Sequence, residues 1–590
     1  MQPLRSKGKR SQVSRTATLP APTAGWYVGD NQATPPPKTA VFLDNAFPEF
    51  DYVRVRGGSQ SWAKGMPSTV STLMPWTNGV VSSLFAVSNG NIYDVSSGGN
   101  VGAPVVTGLP PTSSSVQFTQ FQGLAGTYLF CLPGSGSPHI FDGTGWDRTY
   151  NLTGTLTNAS ASVTSISSTS NLVVGMAVTG TGVPAGTTIA AIVSSTQITL
   201  SVVATTTGAE ALTFYVNAPI TGYSGSGFTY AWSYEGRLYL VDGQTATVYY
   251  LGLAAIGGAA TAFPLQAFFK EGGYVIAGGT WALDATSGAF LANAFISSEG
   301  EVLMYAGGYP GATNWNLIGQ YKVARPVGPN CLMKAGGDLL IMTEDGIVAM
   351  SQVMKLDQVA LENVAVTKPI QPAWRDAVIA RAGKSGWQIV PWPLRTMAIV
   401  NLPKLTTNDY TQYVANTRTG AWARYLGWDA NCFAVFHDSL FYGDSNGNVW
   451  QAETGGQDQG STNYTTNIAL GFMELDAPAV LKQIRAVKPY IQTTNPVNAQ
   501  TSILVDYNLT LPQSPGPGNS FSGALWDVAI WDQAVWSGAL APQTVWVDAQ
   551  GLGTAISVCY QLTTALGSIT PDVRIASFDV LFEAGSIGIG

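Results

Sequence analysis

At 590 residues the chain exceeds what one hydrophobic core usually serves, so it should contain several modules. Hydrophobic residues make up 45% of it and charged residues only 11%, against about 25% in typical soluble domains. The net charge of −7 argues against a protein that grips duplex DNA over its whole surface, because that affinity depends on Lys and Arg. A surface made polar by Ser, Thr, Asn, Gln and 66 Gly is typical of β-rich proteins that face an outside environment or are locked into large assemblies.

Residues 1–40 are rich in Pro, Ser and Thr and predict an extended arm rather than a packed element. Five basic residues precede the first acidic one: Arg5, Lys7, Lys9, Arg10 and Arg15. We expect a solvated tail, with contact to DNA or to a neighbouring protein as the alternative. No apolar segment typical of a signal peptide follows, and no apolar run approaches the roughly 20 residues that span a bilayer. The protein is therefore expected to stay in the compartment where it is made.

Residues 41–148 and 217–458 carry short apolar strands separated by Gly, Asn and Asp turns, a pattern that predicts antiparallel hairpins. Hairpins that recur irregularly over such a length predict an all-β fold with a β-propeller-like central domain, although the repeat is too degenerate to give a blade count. In Tyr52–Gly58, apolar and basic residues alternate, which predicts a half-buried strand. One helix is expected around Pro372–Ala382.

Residues 149–216 form an expected inserted module. No Asp, Glu, Lys, Arg or His occurs from 149 to 209, where Ser, Thr, Val, Ala and Gly dominate. This shift in composition predicts a small, Ig-like β-sandwich. Its strands are expected at Ser162–Ile166, Ala190–Val193 and Gln197–Val203.

A polar break at 455–465 precedes a C-terminal β domain, residues 459–590. Its strands are expected at Ser502–Tyr507, Ala555–Leu562 and Val573–Phe582. Four tryptophans crowd a stretch rich in Gly, Ser and Pro: Trp526, Trp531, Trp536 and Trp546. We expect a loop that packs against a neighbouring subunit, with a Trp-lined sugar site as the alternative.

The residue types that carry nucleophilic catalysis are scarce. His139 and His437 are the only histidines, and both lie in strand-like apolar runs, which favours structural roles. The cysteines are far apart and form no CxxC pair, so we expect buried thiols rather than a disulfide framework. These are Cys131, Cys331, Cys432 and Cys559.

Two short motifs resemble ligand loops without completing them. Gly383–Ser385 lacks the glycine five residues earlier, where Val378 stands, so it is not expected to cradle a phosphate. Asp444–Asn448 resembles a calcium loop, but the bidentate glutamate is missing and a hairpin turn is expected. Carboxylates such as Asp142 and Asp242 precede glycines, as turn residues do, and no pair stands out for a glycosidase. The sequence thus predicts no catalytic, cofactor-binding or metal-binding residues and a protein that is not an enzyme.

Several segments carry a family resemblance: Pro20–Trp26, Ala40–Pro48 leading into Val53–Gly57, Phe141–Trp146, and Val414–Trp422 before Leu440–Gly443. They resemble the tail nozzle proteins of short-tailed bacteriophages, the family also called tail tubular protein B or packaged-DNA stabilisation protein. Independently, Val174–Ile189 looks like a small β module found as an insert in phage virion proteins. Both resemblances point to a structural virion protein.

The nozzle resemblance implies a homo-hexamer that forms the distal tube of the tail and serves DNA retention and ejection. The implied partners are other copies of the chain, a ring of tail adaptor proteins, tail fibres, the host envelope, and genomic DNA that passes through the lumen without sequence-specific binding. The implied location is the distal tail of the virion, after assembly in the host cytoplasm. The alternatives are a tail-tip protein that binds host-surface glycans through the insert or the Trp cluster, and a propeller-type polysaccharide depolymerase.

Overall fold

The computed structural model describes residues 14–29, 33–110, 116–217, 219–223, 225, 227–285, 288–494, 497–517, 540–564 and 572–585. Strands make up nearly all of the regular structure there, so the fold is all-β, as the turn and strand patterns predict. Within these residues, helices are confined to one excursion between residues 350 and 395. None of these helices is long and apolar enough to cross a membrane.

The described chain begins with strands that join its other end: β1 (Ser14–Pro20), β2 (Gly25–Trp26), β3 (Thr39–Asp44), β4 (Ala46–Pro48) and β5 (Val53–Val55). β1 pairs antiparallel along its whole length with the last described strand, near the C-terminus, and Leu19 and Trp26 are buried. The prediction of an extended, unpacked arm is therefore wrong for residues 14–29. The strand that pairs with β1 lies at the opposite end of the sequence, and no pattern within residues 14–29 predicts that pairing. Arg5, Lys7, Lys9 and Arg10 lie outside the described residues.

The next strands begin a propeller-like ring of short antiparallel meanders, here called blades. The first is β6 (Ser59–Lys64). Blade 1 contains β7 (Val70–Thr77), β8 (Ser82–Ser88) and β9 (Asn91–Asp94). After β10 (Gly99–Asn100), blade 2 contains β11 (Gln117–Gln122), β12 (Thr127–Leu132) and β13 (His139–Phe141). Blades 1 and 2 share one apolar cluster, in which Trp76, Phe85 and Phe141 make edge-to-face contacts.

The inserted module follows blade 2 as a small β-sandwich: β14 (Thr149–Leu156), β15 (Ser162–Val163), β16 (Ala177–Gly180), β17 (Ile189–Ser194), β18 (Gln197–Leu200) and β19 (Gly208–Tyr215). The sheets run β14-β19-β16 and β15-β18-β17. Its core residues Val163 and Leu212 belong to the same cluster as Phe130 of blade 2. The insert therefore packs against the ring rather than hanging from a linker.

The ring continues through five more blades, with two extra strands that pair parallel, β20 (Ile220–Thr221) and β24 (Gly258–Ala259). Blade 3 has β21 (Phe228–Tyr234), β22 (Arg237–Asp242), β23 (Thr247–Tyr250) and β25 (Thr261–Pro264). Blade 4 has β26 (Val275–Ala285), β27 (Gly288–Ser297), β28 (Glu301–Ala306) and β29 (Asn316–Lys322). Blade 5 has β30 (Leu332–Ala335), β31 (Asp338–Thr343) and β32 (Gly346–Ala349).

A helical excursion separates blades 5 and 6: α1 (Met350–Val353), α2 (Gln358–Val364), a 3-10 turn (Lys368–Ile370) and α3 (Gln371–Ala380). The helix predicted around Pro372–Ala382 is confirmed as α3. Blade 6 follows with β33 (Gln388–Trp392), a 3-10 turn (Pro393–Arg395), β34 (Met397–Asn401), β35 (Thr411–Asn416) and β36 (Trp422–Leu426). Blade 7 has β37 (Cys432–Phe436), β38 (Ser439–Gly443) and β39 (Val449–Ala452).

The ring closes on itself through β6. This strand pairs antiparallel with β39, with Ala63 opposite Val449, and so completes blade 7 from the N-terminal side. Blade 7 in turn packs against blade 1, where Cys432 and Val70 share one apolar cluster. Several blades have three strands rather than four, and the insert interrupts the series. This irregularity explains why the sequence repeat gave no blade count.

A second module, here called the platform, combines β1–β5 with the C-terminal strands. These are β40 (Thr465–Leu470), β41 (Lys482–Thr493), β42 (Ala499–Val505), β43 (Ala541–Gln543), β44 (Val547–Gly553), β45 (Ile556–Thr563) and β46 (Val573–Ala584). One platform sheet contains β4-β5-β46-β41, and the other runs β3-β40-β45-β42. The second is continuous with blade 6, because β3 also pairs with β36. The C-terminal β module thus incorporates the N-terminal strands.

Candidate functional site

The two histidines lie at hairpins. His139 Nδ1 lies 2.6 Å from the Asp147 carboxylate, whose other oxygen accepts the Ile140 N–H at 2.9 Å. His139 also pairs in register with Cys131 on the neighbouring strand, but burial raises the pKa of that thiol far above its ordinary value. Asp147 thus orders the turn after β13 through His139 and the Ile140 N–H, and the neighbouring Cys131 stays a protonated thiol. His437 occupies the turn of blade 7 and stacks on Phe436 with ring centroids 4.0 Å apart.

The surroundings of the two loops that resemble ligand motifs indicate structural roles rather than ligand binding. Gly383–Ser385 follows the C-terminal end of α3, whereas a phosphate-binding loop precedes the N-terminus of a helix. The Asp444 carboxylate accepts the N–H groups of Asn446 and Asn448 at 2.8 and 2.7 Å and the Trp450 indole N–H at 2.8 Å. Its oxygens are therefore occupied by the turn. Within the described residues, no group of three or more His, Cys, Asp or Glu side chains is placed to hold a metal ion.

Asp142 shows how this fold uses a carboxylate beside a glycine. Its side chain accepts hydrogen bonds from the Thr144 and Gly145 amides and from the Tyr150 hydroxyl, the last at 2.7 Å. Burial by itself would raise the pKa of Asp142, but these hydrogen bonds hold it below the usual range. The carboxylate therefore stays ionised and clamps the turn between blade 2 and the insert.

A cavity of about 840 Å³ opens at one mouth of the propeller ring. Its wall is built from the starts of β11, β21 and β26, from the connections between blades, and from the loop that follows α3. Charged side chains of both signs line it: Arg325, Glu344, Arg381 and Lys384. Of this wall, the sequence analysis singled out Gly383–Ser385 alone, because that segment resembles the end of a phosphate-binding loop.

The junction between platform and propeller holds two buried ion pairs. The Arg54 guanidinium lies 2.8 Å from Glu453, and the completely buried Arg56 donates to both oxygens of Asp458 at 2.7 Å. Burial opposes the charge on Arg56, but Asp458 beside it raises its pKa above the ordinary value. The half-buried strand predicted for Tyr52–Gly58 is thus buried on both faces. The carboxylates lie 399 and 402 residues further along the chain, so sequence reasoning missed the site.

All four cysteines are buried and none forms a disulfide. Of the four clustered tryptophans, only Trp546 is within the described residues, where it is half exposed. Other large apolar side chains are also exposed at hairpins, helices and the platform: Phe50, Val80, Leu124, Leu253, Val359, Ile379, Leu394, Val545 and Leu552. A packed interior and a sparsely charged, partly apolar exterior therefore coexist in one chain.

No protein-family model and no curated protein matches the chain. Among solved structures, it is similar to BBS1N in complex with ARL6DN, with 8% identity over 68% of this chain and 97% of that chain at a TM-score of 0.32. YCF48 bound to D1 peptide matches with 11% identity over 71% and 99% of the two chains at 0.32. Raptor from Chaetomium thermophilum matches with 9% identity over 67% and 29% at 0.33. Such TM-scores support no inference, so the propeller-like fold rests on the strand pairing itself.

Proposed function

We propose that this chain is a structural virion protein, a subunit of the tail nozzle of a short-tailed phage. The sequence resemblance supplies the family, and the construction of the subunit supports a mechanical role. Platform and propeller share a continuous sheet through β3 and β36, and buried ion pairs join them at Arg54 and Arg56. A tube wall through which DNA is retained and ejected must keep its shape under load, and these connections stiffen the subunit.

The observation that carries the proposal is the exposure of large apolar side chains on a surface with few charges. Phe50 is 80% exposed at the β4–β5 turn, and Val80 is 91% exposed at the β7–β8 turn. Apolar side chains and a shortage of charge are typical of permanent interfaces between subunits. A ring of identical copies would cover them, with different surfaces of neighbouring copies in contact.

Negative-stain imaging and mass photometry of the purified protein, alone and mixed with its adaptor ring, test the proposal. Six-fold rings or tubes are expected in the presence of the adaptor. Val80→Ser and Phe50→Ser should weaken ring formation without lowering the melting temperature, because neither side chain is packed in the folded subunit. Lys334→Ser, which changes an exposed and unpaired charge of the described chain, is the matched control.

A stable monomer or trimer that ignores the adaptor and binds host polysaccharide would contradict the nozzle. That result would favour a tail-tip binding protein or a depolymerase instead. Such a protein would still be a virion component, but its partners would be glycans rather than other copies of itself.

A further inference from the structure

We propose that neighbouring copies of the chain join edge to edge, with β1 of one copy pairing with β44 of the next to form a continuous sheet. This inference rests on the proposed ring and names a contact between its copies. The two strands are opposite edges of one platform sheet, in the order β1-β46-β41-β44. Each has seven residues, Ser14–Pro20 and Val547–Gly553. Within the described chain, β1 pairs with β46 alone and β44 with β41 alone.

The outer edge of β1 carries backbone groups that the pairing with β46 does not use. The Ala21 N–H donates to the Ala576 carbonyl at 3.0 Å, so these two residues face each other as a hydrogen-bonded pair. In an antiparallel pair of strands, such residues alternate with residues whose N–H and C=O point away. Thr16 and Thr18 therefore direct their backbone groups away from β46, and both residues are exposed. These groups are donors and acceptors for a further strand.

The outer edge of β44 is exposed as well. Thr554 follows the strand directly, and its N–H donates to the Asp506 carboxylate at 2.7 Å rather than to β41. Because backbone directions alternate along a strand, the N–H of Leu552 points to this same outer side. The Leu552 side chain is 57% exposed, and Val545 and Trp546 are exposed just before the strand. A strand added here would cover apolar side chains and also use the backbone groups.

The pairing has to be between copies, because the two edges of one subunit cannot meet. β46 and β41 lie between them, so the edges are three strand spacings, or about 14 Å, apart. The four strands alternate in direction, and rotation about a ring axis preserves the direction of each strand along that axis. β1 of the next copy therefore runs antiparallel to β44, as the three pairs within the subunit do. Contact between two different edges of identical copies is the kind that builds a ring.

The charges at the two edges are complementary in this arrangement. Antiparallel pairing places the start of β1, with the exposed Arg15, at the Thr554 end of β44. Asp506 lies at that end. The buried Lys482 amine joins the turn that begins at Glu474 to the same end, by donating to a carbonyl of that turn at 2.7 Å and to the Thr554 carbonyl at 2.6 Å. Lys482 supplies one positive charge for two exposed carboxylates, so a negative charge remains for Arg15 of the next copy.

Hydrogen–deuterium exchange followed by mass spectrometry, on the monomeric protein and on rings formed with the adaptor, tests this contact. Peptides that contain β1 and β44 should exchange about tenfold or more slowly in the ring, because their outward N–H groups gain acceptors. Thr16→Pro should weaken ring formation about tenfold or more, since it removes an outward N–H but none of the hydrogen bonds between β1 and β46. Thr16→Val keeps that N–H and is the matched control, which should assemble like the native chain.

Variants on the other edge and of the charge complete the test. Leu552→Pro should weaken ring formation as Thr16→Pro does, whereas Leu552→Val should not. Arg15→Glu should weaken ring formation more than Lys334→Glu, which makes the same change of charge at an exposed position of blade 5.

Rings in which β1 and β44 exchange as fast as in the monomer would overturn this contact and leave the nozzle proposal intact. The same conclusion would follow if both proline variants formed rings as readily as the native chain. Slow exchange of both edges in the monomer would also overturn the contact, because another part of the same chain would then cover them. If no ring formed with the adaptor, the nozzle proposal itself would fail, and this contact with it.

Discussion

Replacing Arg56 by methionine would leave the Asp458 carboxylate buried without its cation. The guanidinium donates to both Asp458 oxygens and to the Leu426 carbonyl, each at 2.7 Å, and its centre lies 3.8 Å from the Tyr464 ring. Methionine keeps an apolar side chain in this space but supplies no donor and no charge. Removing one partner of such a buried pair costs about 3–5 kcal/mol. We therefore expect Arg56→Met to lower the free energy of unfolding by about 4 kcal/mol.

Urea unfolding followed by tryptophan fluorescence is the assay, because the Trp428 ring lies 5.0 Å from the Arg56 guanidinium and reports on this junction. A chain of this size is not expected to unfold in one step, and it contains 17 tryptophans. The comparison therefore uses the transition whose fluorescence change is lost in Trp428→Phe. Arg375→Met is the control, since the exposed pair between Arg375 and Glu362 should contribute about 1 kcal/mol or less. The double variant Arg56→Met/Asp458→Leu should regain part of the loss, because it leaves no unpaired charge. If Arg56→Met were no less stable than Arg375→Met, the reasoning would be refuted.

Three further predictions concern acid stability, the thiols and the insert. Burial alone would raise the pKa of Glu453, but Arg54 outweighs it and holds that pKa below the usual range. The stabilisation is present at neutral pH and is lost as the pH falls below about 4.5, the ordinary pKa of a glutamate. The stability of Glu453→Gln should therefore depend less on pH in the acid range than that of the native chain. The same dependence in both proteins would contradict this. Burial raises the pKa of Cys331 to about 12, which leaves a thiolate fraction of ~10⁻⁴ at pH 8. Ellman's reagent should therefore label this thiol only as the chain unfolds. Rapid labelling of Cys331 in the native chain would disprove its burial. A β-carbon at Gly175, where φ is +93°, would lie 2.3 Å from the Gly257 carbonyl oxygen. Gly175→Ala should therefore cost about 2 kcal/mol or more and expose the insert to limited proteolysis, whereas Gly186→Ala, with a positive φ but open space around it, should leave the insert docked.

The sequence by itself determined the class of fold and the positions of several strands. The alternation of apolar and polar residues, with glycine and asparagine turns between them, is a local property and predicted hairpins. The loss of charge from 149 to 209 marked the insert, and the strands predicted at Ser502–Tyr507 and Ala555–Leu562 correspond to β42 and β45. The family resemblance also came from the sequence, and it remains the main source of the nozzle proposal.

Tertiary structure alone decided which strands pair. A strand pattern shows which residues face a core, but not which distant strand supplies the hydrogen bonds, so β1 could not be matched to β46 nor β6 to β39. The sequence also does not show which distant charged residues form ion pairs. Arg56 looked like a solvated strand residue until folding placed Asp458, 402 residues later, against it. The cavity at the mouth of the ring likewise exists only because side chains from separate blades converge there, since closing a ring brings together residues that no spacing in the sequence connects.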